Sequence, residues 1–234
     1  MRKVAIFDID GTIFRSSLLI ELVEVLIEEG AFPVSVRADY EREKLHWLNR
    51  KGDYEAYIMA VVGVFIKHIK GVHYDDFLCA TKIVVERYRH RTYLFTEELI
   101  RTLKDEHYYL LAISHSPKII LDLFCKELGF DKVYGKLYEL DREGRFTGDI
   151  SDDEVITNKA AMLRHAVEKE NLTLEDSVGV GDTESDISFL EMVKRPICFN
   201  PNMKLYKYAQ EKGWEIIVER KDVVYELNDN KKVV

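Results

Sequence analysis

Short apolar runs alternate with longer amphipathic segments along most of the chain. Val4–Phe7 is β-branched and aromatic and ends at Asp8, which predicts a buried strand. Runs of the same kind predict later strands at Tyr108–Ile113, Ser177–Val180, Pro196–Phe199 and Glu215–Val218. Helical spacing between these runs predicts helices at Thr96–Asp105, Lys118–Leu128, Lys159–Lys169, Glu184–Val193 and Met203–Lys212. This alternation is typical of the α/β class, in which a doubly wound parallel sheet carries helices on both faces.

The alternation stops after the first strand, where the pattern becomes helical over a long stretch. Leu18, Leu22 and Val25 keep one helical face, and glycine and proline residues divide the stretch into several helices. The pattern predicts a helical domain over residues 16–92, inserted into a sheet domain that is formed by residues 1–15 and 93–234.

Two segments near the end of the chain depart from the strand–helix alternation. Lys136–Leu140 and Arg145–Thr147 flank the turn sequence Asp141–Gly144, which predicts a β-hairpin. From about Glu219 onward the residues are of mixed charge without clear periodicity, which predicts a loosely held tail.

The charge balance narrows the class of ligand. Lys and Arg number 34 and Asp and Glu number 42, so the formal net charge is −8. A nucleic-acid-binding protein is favoured by basic surface, so this balance argues against a nucleic-acid partner. It does not exclude a small phosphorylated ligand, because such a site needs only local positive charge or a bound metal ion.

Cysteine content and the N-terminal sequence indicate a cytoplasmic protein. The three cysteines, Cys79, Cys125 and Cys198, are far apart and odd in number, which fits a reducing compartment. Charged residues interrupt the first apolar run too early for a signal peptide. The most apolar later stretch, Tyr57–Ile66, is too short to span a bilayer, so no membrane partner is expected.

Four groups of polar residues follow predicted strands or begin the next helix. They are the pair in Asp8-Ile9-Asp10-Gly11-Thr12, then Ser114, then Lys159, and finally Asp182 and Asp186 in the segment 179–186. Ligands bind at the carboxyl edge of an open parallel sheet, so these side chains are expected to meet there. Several carboxylates together make a site for a hard cation, and Mg²⁺ is the usual ion where phosphate is also bound.

Each group also has a simpler structural interpretation. The aspartates of the first group fit a helix cap and a solvated turn, Ser114 fits a helix cap, and Lys159 fits a solvated lysine. Two rival motifs fail. An EF-hand loop would place its glycine later and a glutamate at Leu19, and the loop around Gly179 and Gly181 lacks the third glycine of a dinucleotide fingerprint.

The four groups in this order resemble the motifs of the haloacid dehalogenase-like hydrolase superfamily. The helical insertion after the first motif resembles the small cap of its phosphoserine-phosphatase-like branch, as do the stretches Ser114–Gly135 and Asp141–Gly148. The resemblance covers nearly the whole chain, and it implies a Rossmann-like core with an inserted helical cap.

The resemblance also implies a role for each motif residue. Asp8 would be the nucleophile that forms an aspartyl-phosphate, and Asp10 would protonate the leaving oxygen and then activate water. Ser114 and Lys159 would hold the phosphoryl oxygens. Mg²⁺ would be bound by Asp8, Asp182 and the backbone carbonyl of Asp10, with Asp186 supporting that shell.

The insertion departs from the phosphoserine enzyme at the positions that read its substrate. Ser17 stands where that enzyme has a glutamate for the amino group, and the segment Tyr54–Val62 lacks its substrate-binding arginine. Both departures argue against phosphoserine. Arg15, Arg50 and Tyr54 are candidate substrate residues instead, and their simpler interpretation is solvated arginines and a core tyrosine.

The sequence as a whole predicts a Mg²⁺-dependent phosphatase that hydrolyses a small phosphorylated metabolite. An acid at position 10 favours a phosphatase or a phosphomutase, because relatives that stop at the aspartyl-phosphate carry threonine there. Two alternatives stay open: a phosphotransferase or phosphomutase on the same site, and a non-catalytic sensor of a phosphorylated ligand. The substrate and the oligomeric state are not determined by the sequence.

Overall fold

The architecture is that of a computed structural model, which describes residues 1–151 and 158–227 of the chain. Its main sheet contains seven strands, numbered in chain order: β1 (Arg2–Phe7), β2 (Tyr109–Pro117), β3 (Lys132–Lys136), β6 (Leu172–Gly181), β7 (Arg195–Phe199), β8 (Glu215–Arg220) and β9 (Val223–Glu226). Their order is β3-β2-β1-β6-β7-β8-β9, and every pair is parallel except β8 with β9. The predicted doubly wound parallel sheet is confirmed.

Four α-helices follow β1 and form the insertion. They are α1 (Leu18–Glu28), α2 (Ala38–Leu48), α3 (Tyr54–Ile69) and α4 (Tyr74–Tyr88). The chain enters and leaves this insertion through two paired linkers. Phe14 bridges to Thr92, the Tyr93 amide donates to the Ile13 carbonyl at 3.0 Å, and the Arg15 amide donates to the Arg91 carbonyl at 2.9 Å.

In the part of the chain that the structure describes, five further α-helices flank the sheet: α5 (Leu94–Asp105), α6 (Lys118–Leu128), α7 (Lys159–Lys169), the single turn α8 (Ile187–Leu190), and α9 (Met203–Lys212). Alternate residues of a strand face opposite sides of a sheet, and β1 shows this. Ala5 and Phe7 pack with α5, α6 and the insertion, whereas Val4 and Ile6 pack with α7, α8 and α9. One apolar cluster therefore runs through the insertion and one face of the sheet, and the predicted domain boundaries at 16–92 stay a prediction.

Several later elements differ from the sequence interpretation; β6, for example, begins at Leu172 and not at Ser177. Lys136 was predicted to begin the hairpin, but it is the last residue of β3, a short edge strand that the sequence pattern did not reveal. The helix predicted at Glu184–Val193 is a 3-10 turn at Glu184–Asp186 followed by α8. The predicted loose tail is wrong as far as residue 227, because β9 pairs with β8. All four residues of β9 are exposed, although three of them are Val223, Val224 and Tyr225.

A two-stranded hairpin, β4 (Tyr138–Leu140) and β5 (Phe146–Ile150), packs on the insertion although it belongs to the later part of the chain. The Phe146 amide donates to the Val72 carbonyl at 3.0 Å, and the Phe146 carbonyl accepts from the Gly71 amide at 2.8 Å. The Phe146 ring lies 4.9 Å from that of Phe77. The hairpin predicted from sequence is present, and it forms a further attachment between the insertion and the sheet.

The cysteines and the helices bear on the predicted location of the chain. Cys79 is exposed, Cys125 and Cys198 are buried, and all three are free thiols. Among residues 1–151 and 158–227, the helices are too short or too polar to cross a membrane. The cytoplasmic location stays a prediction.

We expect Phe146→Ala to destabilise the fold by about 3–5 kcal/mol, because it leaves a cavity between the hairpin and α4. Leu140→Ala on the same hairpin is the control, since Leu140 is 44% exposed and its truncation should cost less than about 1 kcal/mol. Urea unfolding followed by circular dichroism measures both. Equal losses for the two variants would contradict the packing of the hairpin on the insertion.

Candidate active site

The residues singled out by the sequence gather at the carboxyl edge of the main sheet. Asp8 directly follows β1, Ser114 lies near the end of β2, and Asp182 directly follows β6. Because β1 lies between β2 and β6, these three positions are neighbours. The Asp8 amide donates to the Val180 carbonyl at 2.9 Å, which ties the ends of β1 and β6 together.

Lys159 joins two of the aspartates. Its Nζ lies 2.6 Å from Asp8 Oδ1 and 2.5 Å from Asp186 Oδ1, and all three side chains are buried. Asn158 caps α7 by accepting from the Ala160 amide at 2.8 Å, which makes Lys159 the first residue of that helix. A cation at a helix N-terminus is unfavourable on its own. The two carboxylates compensate for this position.

The loop after β6 is held by Asp186. Its Oδ2 accepts hydrogen bonds from the amides of Asp182 and Thr183, both at 3.0 Å. Asp182 in turn lies against Gly11, where an added Cβ would come within 2.1 Å of Asp182 Oδ2 and where φ is +84°. Glycine is therefore required at position 11 both for the space that Asp182 occupies and for the left-handed backbone.

The cluster carries more negative than positive charge. One carboxylate oxygen from each of Asp8, Asp182 and Asp186 lies within 4.8 Å of the other two, and the Lys159 ammonium pairs with Asp8 and Asp186. Burial raises the pKa of Asp8 and of Asp182, and neighbouring carboxylates add to this, whereas Lys159 opposes it. Burial lowers the pKa of Lys159, but Asp186 and Asp8 outweigh it, so the net shift is upward and the ammonium stays charged.

Asp10 lies beside this cluster, but its carboxylate is hydrogen-bonded to β2 and to the start of α1. Its Oδ2 accepts from the hydroxyls of Ser114 and Ser116 at 2.7 and 2.8 Å, and its Oδ1 accepts from the Leu18 amide at 2.6 Å. Its carboxylate is not a member of the three-aspartate group. The predicted metal contact through its backbone carbonyl remains a prediction from the resemblance.

Ser116 is a site residue that the sequence reasoning missed. Residues two apart on a strand share one face, so Ser-His-Ser at the end of β2 places both hydroxyls on the same side. That spacing was a usable signal. Ser114, expected to contact a phosphoryl group, donates its hydroxyl to Asp10 in this structure.

The candidate substrate residues are placed differently from one another. Burial raises the pKa of Tyr54, and the charges of Asp10 and Asp182 add to the rise, so both carboxylates are near enough to act on the phenol. The Arg15 guanidinium lies 5.5 Å from the centre of the Tyr93 ring. Burial raises the pKa of Tyr93, and the charge of Asp182 adds to this rise. Arg50 is an exposed turn residue after α2, and its side chain contacts none of the described site residues.

Comparison with known proteins decides the family. The model of the haloacid dehalogenase-like hydrolases matches residues 5–191, which is most of the chain. The chain belongs to the haloacid dehalogenase-like hydrolase family. The resemblance drawn from the four motifs is confirmed.

Several relatives of the chain are named as phosphatases. The chain is 24% identical over 226 residues to a histidinol-phosphatase of Neisseria meningitidis, covering 93% of this chain and 99% of that protein. It is 25% identical over 202 residues to a phosphoserine phosphatase of Archaeoglobus fulgidus, covering 85% of this chain and 53% of that protein. The chain thus spans about half the length of the second relative. Family and relatives together support a phosphoric monoester hydrolase.

A solved structure of a phosphoserine phosphatase, a phospho-aspartyl intermediate analogue, shares the hydrolase fold. It superimposes with a TM-score of 0.63 at 22% identity, covering 94% of this chain and 95% of that chain. At this identity the likeness concerns the fold, and it agrees with the phosphoserine-phosphatase-like branch.

We expect Asp182→Asn to raise the melting temperature when divalent cations are removed by EDTA, because it removes one uncompensated carboxylate. The rise should be about 2–4 °C, the shift that ~1 kcal/mol gives for a chain of this size. The pKa of Asp182 is higher in the folded protein than in the unfolded chain. The Asp182 carboxylate therefore destabilises the fold increasingly as the pH rises above the pKa that it has in the unfolded chain. The gain should therefore be larger at pH 8 than at pH 5. A melting temperature that falls at pH 8 would contradict the charge imbalance.

Proposed function

We propose that the chain is a Mg²⁺-dependent phosphatase that hydrolyses a small phosphomonoester through an aspartyl-phosphate on Asp8. The observation that carries the proposal is the placement of Asp8. Its Oδ1 is fixed by Lys159 at 2.6 Å, whereas no described residue donates a hydrogen bond to Oδ2. The same edge of the sheet carries Asp182, Asp186 and the hydroxyl-bound Asp10.

The donor set fits Mg²⁺. Three carboxylates and one ammonium leave a buried site with excess negative charge, and Asp182 has no cationic partner among the described residues. Oxygen ligands bound to one Mg²⁺ at about 2.1 Å lie within roughly 4.2 Å of one another, close to the separation of these groups. Both oxygens of Asp186 already have partners, so Asp8 and Asp182 are the better ligands and Asp186 orients the loop. When bound, Mg²⁺ would neutralise charge on the phosphoryl group and on Asp8.

Asp8 would attack the phosphorus atom and release the leaving oxygen. A carboxylate and a phosphate repel each other, and the Lys159 ammonium reduces this repulsion at the point of attack. Lys159 also holds Asp8 in one orientation, which favours in-line attack. Ser114 would contact a phosphoryl oxygen, near the N-terminus of α6, where backbone amides favour anions.

Asp10 would act as the general acid and base. Protonated, it gives its proton to the leaving oxygen; deprotonated, it takes a proton from the water that attacks the aspartyl-phosphate. The hydroxyls of Ser114 and Ser116 and the Leu18 amide hold the carboxylate in place for both steps. The insertion packs over the site from the Leu18 side and would exclude bulk water.

The substrate is proposed to be a small phosphomonoester other than phosphoserine. Ser17, which stands in place of a glutamate, is buried and uses its hydroxyl to accept from the Leu19 amide, so it caps α1. The phosphoserine and histidinol phosphate of the two relatives belong in one test panel. Release of inorganic phosphate from such a panel would identify the preferred leaving group.

We expect Asp8→Asn to abolish hydrolysis of p-nitrophenyl phosphate and Asp10→Asn to lower steady-state turnover by about 10²–10⁴-fold. The p-nitrophenolate group leaves without a proton, so Asp10→Asn should still release one equivalent in a burst before it stalls at the aspartyl-phosphate. Rapid-mixing absorbance measures the burst.

Asp122→Asn serves as the matched control for both variants, because Asp122 is an exposed aspartate on α6 that pairs with Lys118. It should retain full activity. Undiminished activity of Asp8→Asn would overturn the nucleophile assignment. Transfer of phosphate to an added alcohol in preference to water would favour a phosphotransferase.

Mg²⁺ should stabilise the protein as well as activate it. We expect millimolar Mg²⁺ to raise the melting temperature of the parent chain, since a ligand that binds only the folded state stabilises it by mass action. Asp182→Asn should lose most of this response, and Asp122→Asn should keep it. Calorimetric scans with EDTA or Mg²⁺ test this without any substrate. An equal response in all three proteins would place the ion elsewhere.

A further inference from the structure

Lys204 connects the insertion to the loop that carries Asp182. Its ammonium group on α9 lies 2.5 Å from Glu184 Oε1 and 3.2 Å from Glu55 Oε2. Glu55 belongs to the first turn of α3 in the insertion, and Glu184 follows Asp182 by two residues. One lysine side chain therefore spans the two parts of the molecule that border the candidate active site.

Both carboxylates that Lys204 contacts are next to residues of the site. Glu55 follows Tyr54, whose pKa is raised by burial and further by the charges of Asp10 and Asp182. Glu184 also accepts a short hydrogen bond from the Asn202 side chain, and the Asn202 amide donates to the Asp182 carbonyl at 2.8 Å. The first turn of α9 thus holds the Asp182 loop while it reaches the insertion.

Ion pairs between the insertion and the sheet part are few. Among the described residues, those that join 16–92 to the chain after 93 are Glu55–Lys204 and Arg89–Glu127. Arg89 follows α4 and lies three residues before Thr92 of the paired linkers, so it bridges close to where the insertion is attached. Lys204 makes its bridge at the start of α3, next to the site.

We propose that Lys204 is a latch that holds the insertion closed over the phosphoryl site, and is thereby a positioning residue for the reaction. This inference rests on the proposed function for its consequence in catalysis. Exposed ion pairs are individually weak and are screened by salt, so the latch is reversible. A reversible latch suits a site that must admit substrate and release phosphate in each turnover.

The latch is tested by the distance between labels on its two sides. Met59 on α3 is 60% exposed and Lys207 on α9 is exposed. Nitroxide labels at Met59→Cys and Lys207→Cys, in a Cys79→Ser background, report the separation of these helices by electron–electron resonance. Lys204→Met should raise the ratio of open to closed molecules about two- to fivefold, the effect of losing one exposed ion pair.

Three further single variants and one double variant separate the latch from a general weakening of the insertion. Glu55→Gln should reproduce the change, and Lys204→Met should add little in the Glu55→Gln background, because the same contact is already lost. Arg89→Met removes an ion pair of similar exposure and should leave the distances unchanged. Lys204→Arg should restore the closed distances. About 0.5 M NaCl should open the parent but not Lys204→Met.

Kinetics supply the second measurement. Substrate affinity depends on the closed fraction, so Lys204→Met should raise KM by up to about fivefold while kcat changes less than twofold. A fall in kcat at unchanged KM would indicate damage to the Asp182 loop and would overturn the latch. So would distances equal to those of the parent, or the same opening in Arg89→Met. The distances need no turnover: altered distances in a chain without phosphatase activity would keep the latch and overturn the proposed function.

Discussion

The buried pairing of Lys159 with Asp8 and Asp186 is the interaction on which the arrangement of this site depends. Each charge would be costly to bury alone, and each is stable only because the others are present. The pairing forces α7 to begin at the carboxyl edge of the sheet and forces the loop after β6 to turn back toward β1. The excess of carboxylates that remains is what a divalent cation would compensate, so an unfavourable electrostatic arrangement becomes a specific binding site.

Asp10 links this charged cluster to the insertion. One of its oxygens accepts from the amide of Leu18, the first residue of α1, and the other accepts from two hydroxyls on β2. The group proposed to move protons is therefore held jointly by the sheet and by the first helix of the insertion. A displacement of α1 would leave Asp10 with fewer partners, which couples the position of the insertion to the orientation of the acid.

The sequence predicts best where local chemistry marks an element. The predicted bounds of α6, α7 and α9 match those of the structure. Asparagine caps precede α7 and α9, and a glycine in the left-handed conformation follows α6 and α9. The motif aspartates were found because each follows a strand. The Ser-His-Ser spacing on β2 marks Ser116 locally, although its partner Asp10 lies 106 residues away. Lys204 has no such local mark, since its partner Glu55 in the insertion lies 149 residues away in the chain. The edge strands β3 and β9 are five and four residues long, which leaves few positions on which an alternation can be recognised.

The docking of the β4–β5 hairpin on the loop between α3 and α4 has a mechanical consequence. The insertion is fastened at its paired linkers and again, through backbone hydrogen bonds of Phe146, at a hairpin that a different part of the chain supplies. A movement of the four helices that kept both sets of backbone hydrogen bonds would have to be a rotation about the line that joins them, so the hairpin would act as the second pin of a hinge.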